Sequence, residues 1–421
     1  MLLIKNAIIV EPGSKLNGKK RNILVKKGRI EAIGARLTEP KAEVIDAAGA
    51  CLSIGWVDVG VHTGDPGLEH REDLETIAAA ATAGGYTGLA CWPNTEPAIH
   101  AKAQVLYLKN NTSNSLVDFF PIGAVSPNCQ GKDLTEMYDM HHAGAVAFSD
   151  GEHPIQNSGL MMRALQYVKT FDGLIINCPQ DEAIAGNGQM HEGIQSTSMG
   201  MKGLPSIAEE LMVQRDIYLL EYTDSRLHLA NISTAGAVGL IQQAKDRGLA
   251  LTASVPVLNL ALDDRHLDTF ESSYKVMPPL RESSDITALK SGLRSGAIDL
   301  ISSNHTPLEE ELKKLEFPYA AFGSIGLETC YALSNTALGD TLDTEALVNI
   351  LAYNSRKLLR LEVPRIAVGE AACLTLFDPN REWTFSEAHI RSKSKNTPLI
   401  GQQFKGKVLA VVNGAQHSIV N

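Results

Sequence analysis

The chain has no apolar run approaching the ~20 residues that a membrane-spanning helix needs. Its start, Met1-Leu2-Leu3-Ile4-Lys5-Asn6-Ala7-Ile8-Ile9-Val10, lacks the basic stretch and apolar core expected of a signal peptide. Cysteine is sparse: Cys51, Cys91, Cys129, Cys178, Cys330 and Cys373 are scattered, and no Cys-x-x-Cys occurs. That spacing argues against a zinc ribbon or thioredoxin-type motif and reads as small buried hydrophobes in a reducing cytoplasm. Basic charge is in deficit, with 38 Lys and Arg against 48 Asp and Glu and a net charge of −10. The basic footprint that nucleic-acid binding requires is therefore missing. No Gly-x-Gly-x-x-Gly follows the first strand of the middle region, which removes the dinucleotide-binding fingerprint. What is present is ordinary for a globular chain: 421 residues, 44% apolar and 20% charged, without repeats or low-complexity stretches.

Hydrophobic periodicity divides the chain into two kinds of region. Residues 1–55 alternate as short strands and turns, as in Asn22-Ile23-Leu24-Val25, the turn Lys26-Lys27-Gly28 and Arg29-Ile30-Glu31-Ala32-Ile33. The tail does the same at Cys373–Phe377 and Lys407–Val412. Two β-rich ends around a different middle predict one composite β-sandwich domain, 1–55 with 366–421, and an inserted domain over 56–365. That middle alternates strand and helix, with strands expected at 56–61, 86–92, 117–124, 145–148, 173–177, 226–230, 249–254 and 298–302. Arg71 to Gly84 reads as a helix with Glu72, Asp73 and Glu75 in its first turn, and Pro205 to Glu221 as another. Eight strand–helix units predict an α/β fold, a (β/α)8 TIM-type barrel. Lys313-Lys314 among Glu309-Glu310-Glu311 reads as a solvated helix face, and Arg391-Ser392-Lys393-Ser394-Lys395 as a short loop.

In such a barrel the chemistry sits at the C-terminal ends of the strands. The residues there are Asp58-Val59-Gly60-Val61-His62, Trp92-Pro93-Asn94-Thr95, Ser149-Asp150-Gly151, Asn177-Cys178, His228-Leu229-Ala230-Asn231 and Ser303-Asn304-His305.

Pro66-Gly67-Leu68-Glu69, Glu72-Asp73, Ala83-Gly84-Gly85-Tyr86-Thr87, Pro93-Asn94-Thr95, Gly144-Ala145-Val146-Ala147-Phe148, Pro278-Pro279-Leu280-Arg281, Phe322-Gly323-Ser324-Ile325-Gly326-Leu327-Glu328-Thr329 and Ser392-Lys393-Ser394-Lys395-Asn396-Thr397-Pro398 occur in the order they take in one family. The chain resembles the dihydroorotases, cyclic amidohydrolases of the amidohydrolase superfamily, nearly end to end. The resemblance implies an amidohydrolase barrel with a small discontinuous β-sandwich, and a homodimer. It also implies one or two zinc ions, held by a His-x-His after strand 1, a carboxylate after strand 4, a His after each of strands 5 and 6, and an Asp after strand 8 that is also the base. An Arg just past the His-x-His, with the Asn after strand 2, holds the substrate carboxylate.

Those positions are almost all changed here. The first His of the pair is Gly60, leaving His62; the strand-5 and strand-6 ligands are Asn177 and Asn231; the strand-8 Asp is Asn304. The substrate Arg is Gly64, Met277 stands before Pro278 where an Asn is expected, and Leu308 stands where a His is expected. Asn94 is kept, and Asp150 fits the strand-4 carboxylate, followed by Gly151. Zinc takes thiolate, imidazole and carboxylate, and a catalytic site needs three protein ligands and an open position; carboxamides are weak neutral donors. The sequence therefore predicts a pseudo-dihydroorotase without zinc or catalytic residues, kept as a structural or regulatory partner; the resemblance names aspartate transcarbamoylase. The alternative is an active dihydroorotase or related cyclic amidohydrolase with an atypical zinc site on His62 and Asp150. Further expectations are that Asn177, Asn231 and Asn304 bond one another, that Cys178 and His305 point to the opposite strand face from their neighbours, that His228 is structural and the His141-His142 pair carries no chemistry, and that Asn94 is a vestigial ligand grip.

Overall fold

Alternation of buried strands with amphipathic helices closes the middle of the chain into a barrel. The protein is described as a computed structural model covering residues 1–420. Its barrel strands are Trp56–Val61, Tyr86–Cys91, Asp118–Gly123, Ala147–Phe148, Ile175–Asn177, Leu227–Leu229, Leu251–Pro256 and Leu300–Ser302. They lie side by side in chain order, each parallel to the next. Closure of the eighth strand on the first is polar. The buried Asp58 carboxylate accepts the Ser303 N–H at 3.2 Å, and His62 N–H donates to His305 O at 3.2 Å. Burial pushes the Asp58 carboxyl up to about 6 against those bonds. All eight strands fall where hydrophobic periodicity expects them.

The helix after the first strand runs Leu74–Ala83, later than expected, because Asp73 is its N-cap: the carboxylate accepts Glu75 N at 3.1 Å and Thr76 N at 2.9 Å. Glu72, expected in the first turn, lies outside the helix and is fully buried. Its carboxylate accepts from Lys393 N at 3.0 Å, Ser392 Oγ, Thr76 Oγ1 and His305 Nε2 at 3.4 Å. Gly326 N donates to His305 Nδ1 at 3.2 Å, so the ring proton is on Nε2 and donates to Glu72. The loop 391–395 thus reaches across and ties the chain's tail to the barrel mouth. Lys313 corrects the expected solvated face. It is buried, donating to Lys275 O and Ala321 O at 3.2 and 3.0 Å, and burial pushes its amine down to about 7. Lys314 alone faces solvent, beside Glu310.

The other sheet takes strands from both ends of the chain. Cys51–Ile54 pairs antiparallel with Cys373–Thr384, which continues to Gln403–Asn413 and Gln416–Ile419 on one side; on the other lie Leu2–Ile9, Lys20–Lys26 and Arg29–Gly34. Trp56 joins this sheet to the barrel, its ring 4.8 Å from that of Tyr331 and 5.2 Å from that of Phe377. No helix among the described residues is long and apolar enough to cross a membrane.

Candidate functional site

A cavity of about 470 Å³ opens at the C-terminal ends of the barrel strands. Its wall takes His62, Trp92, Glu152, Cys178, Asn231 and Asn304 from the ends of strands 1, 2, 4, 5, 6 and 8. The location is the one that barrel topology dictates. The wall mixes indole, thiol and carboxamides with two imidazoles, His62 and His153, and two carboxylates, Glu152 and Glu209.

Two glycines decide the first-strand side. Gly60 sits in a bulge where the pairing with Tyr86–Cys91 shifts register, at φ +91°. A Cβ there would lie 2.4 Å from Cζ2 of Trp92, whose side chain fills the space. Left-handed backbone and an aromatic ring in van der Waals overlap both exclude a side chain at this position. Gly64, at φ +72°, has its own block: a Cβ would lie 2.2 Å from the Glu72 carbonyl oxygen. The positions at which the family resemblance expects a histidine and an arginine are thus closed to any Cβ.

The three asparagines divide. Asn231 Nδ2 donates to Asn304 Oδ1 at 3.1 Å, Ser302 Oγ donates to Asn231 Oδ1 at 2.9 Å, and Asn304 Nδ2 donates to Met277 O at 2.9 Å. Asn177 corrects the expected three-way network. It turns away to the buried Asp216 of helix Ile207–Thr223, Nδ2 to Oδ2 at 2.6 Å, and accepts Ile155 N at 3.2 Å. The reason is strand geometry: 177 and 178 face opposite sides, and it is Cys178 that reaches the cavity. Burial pushes the Cys178 thiol up to about 12, with Glu152 adding to the effect.

Asp150 likewise departs from its expected place beside His62. Its buried carboxylate is spent on Ser126, accepting the backbone N–H at 2.9 Å and Oγ–H at 2.5 Å. Burial raises its pKa and those bonds lower it, with a net upward shift. Asn94 is bonded to the backbone of the loop after strand 4. Its Nδ2 donates to Asp150 O at 3.0 Å and its Oδ1 accepts Glu152 N at 3.3 Å, pinning the loop after strand 4. That loop passes so near that a Cβ on Gly151 would meet Asn94 Oδ1 at 1.7 Å. Met277 lines the cavity with its side chain, and Leu308 is buried with its N–H on Asn396 Oδ1 at 3.1 Å.

His228 and the His141-His142 pair lie outside the cavity wall. His228 is fully buried between Thr252 Oγ1 at 2.9 Å and Ser254 Oγ at 3.1 Å, and burial pushes it down to about 3. His141 and His142 lie in the last turn of helix Met137–Ala143, against Phe171 and Tyr138. His62 is half-buried at the cavity wall; burial lowers its pKa, opposed by Glu152, so the ring is neutral at pH 7. Glu152 and His153 were not expected as cavity residues. They lie in the loop after the strand-4 carboxylate, and only the local turn at Gly151 aims them inward.

A zinc ion of the kind the family resemblance implies does not fit these residues. His62 and His153 are the imidazoles of the cavity wall; Glu152 lies 3.8 Å from His153 Nε2 and the Glu209 carboxylate is held by Ser233 and Thr234. The donors the resemblance expects besides His62 are a glycine shut by Trp92, two mutually bonded carboxamides, a third carboxamide facing Asp216 and a carboxylate held by Ser126. No group of three or more His, Cys, Asp or Glu side chains among the described residues is arranged to hold a metal ion.

Comparison with known proteins fixes the ancestry. The dihydro-orotase-like family profile matches residues 49–237. A dihydroorotase of Geotalea daltonii is 40% identical over 408 residues, covering 96% of this chain and 96% of the relative. One from Pelotomaculum thermopropionicum is 40% identical over 420 residues, covering 99% and 97%. Among solved structures, the L-hydantoinase (dihydropyrimidinase) of Arthrobacter aurescens superposes with a TM-score of 0.86 at 25% identity, over 99% of this chain and 95% of that one. A D-hydantoinase at 21% identity and a TM-score of 0.83 shares the fold. With a barrel, a terminal β-sandwich and full-length relatives of one name, this chain belongs to the dihydroorotase family.

Proposed function

We propose that this chain is a pseudo-dihydroorotase: a dihydroorotase-like protein of pyrimidine synthesis that keeps the barrel and does not hydrolyse the ring. The observation that carries this reading is Gly60 under the Trp92 indole, 2.4 Å from where a Cβ would stand. Substitution of a ligand by glycine alone leaves a hole that a water or another donor can fill. An aromatic ring in that hole does not. Opening a cyclic amide by the family's chemistry needs a water whose pKa is drawn from 15.7 to about 7 by a metal, and a base to take its proton. Asn304 and Asn231 supply neither charge nor base, and position 64 offers no guanidinium for a substrate carboxylate.

A protein of this kind is kept for its surface, as a structural or regulatory partner in the cytoplasm. Aspartate transcarbamoylase is the partner that the family resemblance implies. The test is a dihydroorotate turnover assay on protein purified without chelator and supplemented with zinc, run beside copurification with aspartate transcarbamoylase. No turnover above the no-protein blank, with retention of the transcarbamoylase, supports the reading. Turnover that is lost on His62→Ala would defeat it in favour of an active amidohydrolase with an atypical site.

A further inference from the structure

The barrel mouth keeps hydrogen-bond donors that the chain itself does not take up. The indoles of Trp56 and Trp383 donate to Ser53 Oγ at 2.9 Å and to Gly406 O at 2.8 Å. Trp92 is 2% exposed, yet its indole N–H has no acceptor among the described residues. A buried indole N–H ordinarily finds one. Its nitrogen is not sealed in the core, as the unpartnered Tyr86 hydroxyl is, so the N–H is left to the cavity that Trp92 lines. The neutral ring of His62 is unbonded in the same wall and carries one N–H more. Asn231 and Asn304 each spend one Nδ2 proton, on Asn304 Oδ1 and Met277 O, and keep the second.

Charge decides which acceptor these donors can take. Among the described residues no Lys or Arg lines the cavity. Two buried cations outside the wall are spent: Lys275 Nζ donates to Phe317 O at 2.7 Å and Pro318 O at 3.1 Å, and Arg281 to Leu204 O at 2.9 Å and Ser233 Oγ at 3.1 Å. Of the two carboxylates in the wall, Glu209 is saturated by Ser233 and Thr234, while Glu152 stands where the wall meets solvent, its side chain 53% exposed. A ligand carboxylate would enter against Glu152 and lose its water with no cation to pair it. A ligand cation fares no better. The unfilled groups are donors, and the Phe322 ring already has the Lys275 ammonium 4.8 Å from its centroid.

An uncharged carbonyl oxygen is the acceptor that remains. Met277, Pro154, Pro179, Pro278 and Phe322 give the cavity apolar flanks for a flat ring, and about 470 Å³ is within the range of pockets that enclose a drug-sized molecule. We infer that the barrel mouth binds an uncharged aromatic amide through its carbonyl oxygen, with Trp92 Nε1–H and the His62 ring as donors, and refuses the corresponding carboxylate. This goes beyond the pseudoenzyme reading, and because binding is measured without turnover the two fail separately.

The test titrates the full chain at neutral pH with benzamide, benzoate and benzamidine, one ring carrying an uncharged, an anionic and a cationic head of similar shape. By calorimetry benzamide is expected to bind at least about tenfold more tightly than either of the others. Trp92→Phe keeps a ring over Gly60, removes the N–H and is expected to weaken benzamide by about tenfold. In nitrogen-labelled protein each of the three tryptophans gives one indole N–H resonance. Benzamide should move the one that is missing in Trp92→Phe and leave the other two in place. Glu152→Gln changes an exposed loop and carries the test by itself if Trp92→Phe does not fold. It is expected to tighten benzoate and to leave benzamide within about twofold of wild type. The proposal is overturned by no benzamide binding up to its solubility, by benzoate binding as tightly as benzamide, by a bound benzamide that leaves the Trp92 resonance unmoved, or by an unchanged benzoate-to-benzamide ratio in Glu152→Gln.

Discussion

Placing the smallest side chain at position 60 tests the closed first-strand corner directly. Gly60→Ala puts an L-residue at φ +91° and a methyl 2.4 Å from an indole carbon. The left-handed backbone costs ~1–2 kcal/mol and the overpacking a further ~1–3 kcal/mol, so the variant is expected to lose about 2–5 kcal/mol of unfolding free energy. Trp92→Leu removes the colliding ring while keeping apolar fill. On that background the same substitution should cost only the backbone term, leaving a coupling energy of about 1–3 kcal/mol. Urea unfolding of the four proteins, followed by circular dichroism at one temperature, gives the cycle. Equal cost of Gly60→Ala with and without Trp92, or a cost below ~0.5 kcal/mol on the wild-type background, would refute the claim that the indole shuts the ligand position.

Asn304→Asp sets a carboxylate against Met277 O, where the amide now donates. The resulting repulsion raises the new group's folded-state pKa, so the variant should lose ~1–3 kcal/mol at pH 7 and recover as the pH falls and the acid can donate instead, read by denaturation at pH 5 and 7. His228 is neutral in the fold down to about pH 3, beside Thr252 and Ser254 with Lys245 the charge that bears on it, whereas the unfolded chain protonates it near 6.5. Wild type should therefore lose stability relative to His228→Gln by about 1.4 kcal/mol per pH unit below 6.5; a pH-independent difference contradicts the burial. Glu72→Ala strips the partners of His305 Nε2, Ser392 Oγ and Lys393 N, and should cost ~3–5 kcal/mol. It should also speed tryptic cleavage after Arg391 or Lys393, checked by mass spectrometry of the fragments.

The barrel was legible because burial on both faces gives each strand a short apolar run bounded by turns, and the run lengths set eight units. The loss of donors at 60, 177, 231 and 304 was legible too, since strand ends are fixed by the same runs. What fills the vacancies was not. Trp92 reaches Gly60 from the adjacent strand only because the pairing slips between Val59 and Val61, and no periodicity encodes a bulge. Asp150 answers to Ser126, 24 residues earlier, and Asn177 to Asp216, 39 residues later. Such non-local hydrogen bonds decide which way a polar side chain turns after the strand places it. Lys313 shows the same limit, for a lysine among glutamates reads as solvated until the Lys275 and Ala321 carbonyls are seen around it.

The most direct measurement of the central claim is zinc content per chain, by mass spectrometry of the element, after equilibration with excess zinc and removal of the free ion. Wild type and His62→Ala should be alike and well below one zinc per chain. One tightly held zinc in the wild type that disappears in His62→Ala would contradict a site closed by Trp92 and its paired carboxamides.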